Sequence, residues 1–173
     1  LILINPSDKA DFEMEMYNAD GSRGEMCGNG IRCVAKYVYE HGLTDQTTIT
    51  VETLAGIKTL KLTLDDGLVK SVRVDMGEPE FDVRKIPVTF PKEEMIEEPM
   101  EVGGQIYVAS CLSMGNPHCV IFMDEDVRTL DLMRLGPLFE NHSTFPKRIN
   151  TEFANVIDEN HIRMRVWERG SGE

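Results

Sequence analysis

The sequence has no apolar run long enough to span a bilayer, no CxxC pair and no basic surplus. A transmembrane helix needs roughly 20 consecutive apolar residues, so the first absence argues against a membrane protein. The four cysteines stand at 27, 33, 111 and 119, spacings that suit neither a zinc site nor a thioredoxin-like motif. His118 adjoins Cys119 without a second ligand pair, so no metal is expected. Thirty acidic residues against 18 basic give a net charge of −12, which would repel a nucleic-acid backbone. Part of that excess is local, since Glu93, Glu94, Glu97, Glu98 and Glu101 cluster in what reads as a solvated loop or edge. Low-complexity tracts and clear repeats are also missing. Leu1-Ile2-Leu3-Ile4 lacks the basic flank of a secretory signal and reads instead as a buried strand. Free thiols in a reducing cytoplasm are therefore expected. No methionine opens the chain, and it reads as cut at its front.

What is present is ordinary globular material: 173 residues, 41% hydrophobic and 28% charged. That length can bury a core in one domain or two small ones. Residues 12–17 alternate with strand period, and further strands are expected near 48–52, 58–64 and 69–76, with turns at Gly56 and Asp66-Gly67. Pro79, Pro87, Pro91 and Pro99 punctuate residues 77–101, which places a boundary near residue 75. Two lobes are expected, 1–74 and 75–173. In the second, strands fall near 104–111, 118–123, 153–157 and 161–166, with a helix over 131–141. Strands dominate and helices are few.

Met26-Cys27-Gly28-Asn29-Gly30-Ile31-Arg32-Cys33 is the most informative run. Ile31, Val34, Ala35 and Val38 follow the i, i+3, i+4, i+7 spacing of a helix with one buried face, and Gly42 suits its C-terminal cap. Cys33 reads as a core residue of that helix. Cys27 then falls at the helix N-terminus, where unpaired N–H groups and the dipole favour negative charge, a thiolate or a substrate carboxylate alike. A cysteine is more often a small buried hydrophobe than a catalyst. The flanking glycines tip Cys27 toward chemistry, because they let a ligand approach closely.

Three loops carry further candidates. Ser113-Met114-Gly115-Asn116-Pro117-His118 ends a turn at a strand start, which can aim Asn116 and His118 into a cleft; each taken alone reads as a turn cap or a surface histidine. Asn150-Thr151 offers an amide with donor and acceptor ends, or a simple loop residue. Trp167-Glu168-Arg169-Gly170-Ser171-Gly172-Glu173 places an acid beside a base. Arg169 can grip a carboxylate and Glu168 can accept from an ammonium, although an exposed ion pair has the same sequence.

Taken together, Asn18-Ala19-Asp20-Gly21-Ser22, Glu25 to Cys33, Gly115 to His118, Asn150 to Phe153 and Glu168 to Glu173 strongly resemble the diaminopimelate epimerase family, in the family order. The resemblance implies two pseudo-symmetric barrel-like lobes of mixed α+β sheet, each around a central helix, with the site in the cleft between them. It implies a cofactor-independent isomerase of lysine biosynthesis, converting LL- to meso-diaminopimelate without pyridoxal phosphate or metal. Carried over by motif, Cys27 is one of two catalytic cysteines, and His118 and Glu168 support proton transfer. Asn18, Gly28, Asn29, Asn116, Asn150, Glu168 and Arg169 match substrate-binding positions. A cytoplasmic homodimer is the expected form. The family's second cysteine follows the Gly-Ser-Gly-Glu run, where this sequence stops, so the second lobe is expected to be incomplete, its apolar core exposed, and the chain inactive alone.

Other readings use fewer of these residues. A hydrolase or transferase would employ Cys27 as nucleophile, His118 as base and Asn116 as orienter, leaving Asn18, Glu168 and Arg169 idle. A racemase of another amino acid, similar to proline racemase, shares the Cys-Gly-Asn-Gly run. A non-catalytic binding remnant fits the single motif cysteine.

Overall fold

The computed structural model describes residues 1–173, which divide after Gly77 into two units, Leu1–Gly77 and Glu78–Glu173. In the first, β1 (Ile2–Asn5), β2 (Phe12–Tyr17), β4 (Thr48–Thr53), β5 (Gly56–Asp65) and β6 (Leu68–Val74) lie side by side in the order β1-β2-β4-β5-β6. The short β3 (Arg23–Gly24) folds back on β2. Only β2 and β4 run parallel, with Phe12 opposite Val51. A parallel pair cannot close through a tight turn and needs a crossover, which here carries helix α1 (Gly28–Glu40). Its buried stripe, Ile31, Val34, Ala35 and Val38, packs with Ile49, Val51, Leu60 and Leu62 of the sheet. Gly42, at φ +69°, takes the left-handed turn after the helix at no Cβ cost. Asp66 and Gly67 are both at positive φ, as a two-residue hairpin between β5 and β6 requires.

Two expectations fail in this unit. Leu1, Ile2 and Leu3 are exposed, because β1 is the edge of the sheet and not an interior strand. Cys33 is exposed as well. At 100° per residue it stands about 200° round the helix from Ile31, opposite the buried stripe.

The second unit orders β11 (His161–Trp167), β10 (Asn150–Asp158), β9 (Pro117–Phe122), β8 (Gln105–Ser113) and β7 (Glu98–Val102). Its one parallel pair, β9 with β10, again spans a crossover, here holding helix α2 (Leu132–Glu140) with Asp131 and Asn141 as its caps. One face of the sheet presents Ala109, Cys111, Cys119, Ile121 and Phe153 to Leu132, Leu135 and Phe139. The proline-rich stretch does more than link, since Val83, Ile86, Val88 and Met95 join the same core. Within the acidic cluster, Glu98 and Glu101 lie on the edge strand β7. Period-2 alternation sends Ile106, Val108, Phe122, Val156, Ile162 and Met164 to the opposite face, where all are exposed. No helix is long and apolar enough to cross a membrane.

Candidate active site

In the first unit the expected chemistry gathers at the start of α1. Cys27 is the N-cap, with extended backbone (φ −138°, ψ 112°), and its Sγ accepts from the Gly30 N–H at 3.3 Å. Its carbonyl takes the first helical bond, from Ile31 N at 2.9 Å. The N–H groups of Gly28 and Asn29 belong to the first turn and have no acceptor within the helix. A Cβ on Gly30 would lie 2.9 Å from Ile2 Cδ1, the end of an exposed side chain that can turn aside, and 3.4 Å from the Cys27 sulfur. Asn29 is exposed, its Oδ1 accepting from Arg32 Nη1 at 3.1 Å. Asn18 follows β2, where its backbone N–H donates to Ser22 O and its Nδ2 to Ser22 Oγ. The β2–β3 turn then returns the chain to Gly24, three residues before Cys27.

In the second unit the parallel register does the assembling. His118 on β9 stands opposite Asn150 on β10, and Glu152 lies two residues further along the same face. His118 Nδ1 is 2.6 Å from Glu152 Oε1, and Nε2 is 2.9 Å from Asn116 Oδ1. Two protonation patterns satisfy this arrangement: an imidazolium donating to both oxygens, or a neutral ring whose Nε2 accepts from a turned Asn116 amide. In both, the Nδ1 proton is held by Glu152. That carboxylate is only 7% exposed, and its second oxygen is buried without a partner.

Asn150, 8% exposed, ties two loops together. Its Oδ1 accepts from Arg169 N at 2.8 Å, while its Nδ2 donates to Pro117 O at 3.0 Å, leaving the second Nδ2 hydrogen for another acceptor. The Glu168–Gly172 segment closes as a tight hairpin, with Glu168 N to Gly172 O at 2.8 Å and Gly172 N to Glu168 O at 2.9 Å. Glu168 is exposed and Arg169 half-buried, with Arg169 Nη1 reaching Lys147 O at 3.4 Å. Asn116, His118 and Glu152 thus form one hydrogen-bonded chain, and Asn150 ties the neighbouring Pro117 carbonyl to the Arg169 backbone; on the first unit Cys27, Gly28 and Asn29 are consecutive at the start of α1. Glu152 was not among the expected site residues. Its signal was period 2, which places it on the face of Asn150 within the same Asn-Thr-Glu-Phe run.

Residues 1–82 and 110–173 match the family model described as diaminopimelate epimerase. The whole chain aligns, 56% identical, to the diaminopimelate epimerase of Agathobacter rectalis, covering 63% of its length. The chain belongs to the diaminopimelate epimerase family. A second relative of that name, from Acetivibrio thermocellus, is 54% identical over the whole chain and is covered to 61%. The chain thus spans about three fifths of these epimerases. Among solved structures it is similar to a probable proline racemase from Agrobacterium radiobacter (TM-score 0.74, 16% identity, 95% of this chain and 52% of that one). A hydroxyproline epimerase from Agrobacterium vitis matches at a TM-score of 0.70, again with 16% identity, 95% and 52%. The fold is therefore the mixed α+β architecture expected of a diaminopimelate epimerase.

Proposed function

We propose that this chain carries the Cys27 base and the main substrate-recognition groups of an enzyme that interconverts LL- and meso-diaminopimelate in lysine biosynthesis, without pyridoxal phosphate or metal. The observation that carries the reading is the placement of Cys27 as N-cap of α1, in a chain 56% identical to a named epimerase. A Cys27 thiolate takes the α-proton, and the electron pair left on carbon spreads into the adjacent carboxylate. The Gly28 and Asn29 N–H groups, with the helix dipole behind them, are suited to stabilise that growing charge. Inversion requires an acid on the opposite face of the carbon. The family resemblance gives that role to a second cysteine beyond the Gly-Ser-Gly-Glu run; Cys111 and Cys119 are buried and Cys33 stands on the outer face of α1.

The second unit supplies recognition. The Arg169 fork suits a carboxylate and Glu168 an ammonium group, while Asn116 and Asn150 offer amide ends. Binding the remote end in this way positions the reacting carbon. Glu152 holds the His118 Nδ1 proton, which fixes the ring orientation in which His118 supports proton transfer.

The test uses the longer protein that contains this sequence, with LL-diaminopimelate in D2O. Exchange at Cα and conversion to the meso form are expected, and Cys27→Ser should cost at least about a hundredfold in turnover. Retained activity in that variant would sink the assignment. One solved neighbour is a probable proline racemase, so proline belongs in the same assay. Preferential turnover of proline would replace diaminopimelate as the substrate.

A further inference from the structure

Glu140 is a carboxylate in an unfavourable place. It is the last residue of α2, where the helix dipole disfavours negative charge, and it is only 7% exposed. Three donors compensate it. Trp167 Nε1 donates to Oε2 at 2.6 Å, Gly170 N donates to Oε1 at 2.9 Å, and Arg148 Nη1 donates to Oε1 at 3.1 Å. Two of these come from either end of the segment that presents Glu168 and Arg169. The Arg169 N–H between them is taken by Asn150 Oδ1. The backbone on both sides of the Arg169 side chain is thereby fixed to α2 and to β10.

The indole reinforces the attachment. Trp167 lies so close to α2 that a Cβ on Gly136 would come within 2.2 Å of its ring, and one on Gly172 of the hairpin would lie 3.5 Å from the ring's far edge. Gly136 is therefore a contact glycine, tolerated in mid-helix because the ring occupies its side-chain space. A buried carboxylate would be costly if it merely filled space, and an apolar residue would serve the core better. Its two oxygens are instead engaged by the strand end and the loop that follow one another at 167 and 170.

We propose that Glu140 is the positioning residue of the Glu168–Arg169 hairpin. Through Trp167 and Gly170 it sets where the two recognition side chains stand, and it couples the one tryptophan of these 173 residues to that loop. The proposal rests on the assignment of Glu168 and Arg169 to substrate recognition, but its first test does not need substrate. In the longer protein, Glu140→Gln keeps the side-chain size while losing the charge and one acceptor. Amide exchange at Arg169 and Gly170 should accelerate by about tenfold or more, the scale of a lost charge-assisted hydrogen bond. The Trp167 emission should shift with it. Unchanged exchange would overturn the proposal, whatever the enzyme's substrate proves to be.

Kinetics give the second test. Glu140→Gln should raise KM for diaminopimelate by about tenfold with a smaller change in kcat. In an Arg169→Gln background it should add little, because the two residues act through one contact. Full additivity would show a general structural role and would also overturn the proposal. Should Glu140→Gln fail to fold, Trp167→Phe removes the indole donor alone; a KM increase of about threefold or more is expected, and none would count against us. If the parent enzyme leaves diaminopimelate untouched, the substrate assignment fails, and the exchange result alone decides the role of Glu140.

Discussion

The helices of the two units begin alike and are used differently. Asp131 caps α2 in the ordinary way, its carboxylate accepting from Arg134 N at 3.2 Å. Cys27 occupies the same position on α1 and its sulfur accepts from Gly30 N at 3.3 Å. Aspartate is among the favoured caps; cysteine is not. The first turn of α1 also holds Gly28 and Gly30, each costing about 1 kcal/mol of helix propensity relative to alanine. A helix start that forgoes stability in three of its first four positions, while its apolar stripe is intact, is shaped by something other than folding. In the second unit the departure from stability lies at the other end of the helix, in Glu140.

That comparison can be broken experimentally. The largest effect should come from exchanging the cap types in the longer protein. Cys27→Ser supplies a better cap and should raise unfolding free energy by about 0.5 kcal/mol, against the at least hundredfold loss of turnover already expected. Asp131→Ala should do the reverse, costing about 1 kcal/mol in urea unfolding with turnover unchanged. Equal losses of activity in the two variants would remove the distinction between the helices.

A smaller effect separates the units by pH. The Cys111 thiol on the neighbouring strand and burial push the Cys119 thiol well above its ordinary 9.0. The unfolded chain releases this proton first as pH rises. The stabilisation is therefore complete below about pH 9 and is lost as pH climbs toward the folded value. Stability measured between pH 8 and roughly 11 should fall, and Cys119→Ala should flatten that slope. An unchanged slope would place the alkaline loss elsewhere.

The smallest expected effect concerns the sheet faces. In the first unit α1 covers the apolar face, whereas Ile106, Val108, Phe122, Val156, Ile162 and Met164 leave a second-unit face apolar and exposed. Exposed apolar area of this kind promotes association. In the 173-residue chain, Ile162→Lys should change stability by less than about 0.5 kcal/mol while reducing binding of a hydrophobic dye. A large stability loss would show that the face is packed.

The elements that can be read from the sequence are those whose cause is local. The stripe of α1, the Asp131 and Asn141 ends of α2 and the Asp66-Gly67 hairpin need only neighbouring residues, and each stands where the pattern puts it. Apolarity alone could not tell that Leu1 to Ile4 form an edge strand, because position in a sheet depends on remote pairing. Cys33 was misplaced for a local reason, since nearness to an apolar stripe in sequence is not nearness in angle. Glu152 and Glu140 escaped because their partners are distant, 34 residues away for His118 and 27 for Trp167. The family motifs name the candidate recognition residues, and the structure adds the groups hydrogen-bonded to them.

The parallel pairing of β9 with β10 also sets an order of events. His118 and Glu152 are joined only after the intervening chain, including α2, has folded back across the sheet. Such long-range closures are slow compared with hairpins like β10–β11, because the loop entropy is lost before the contact repays it. The His118–Glu152 contact is therefore expected to form later than the β10–β11 hairpin.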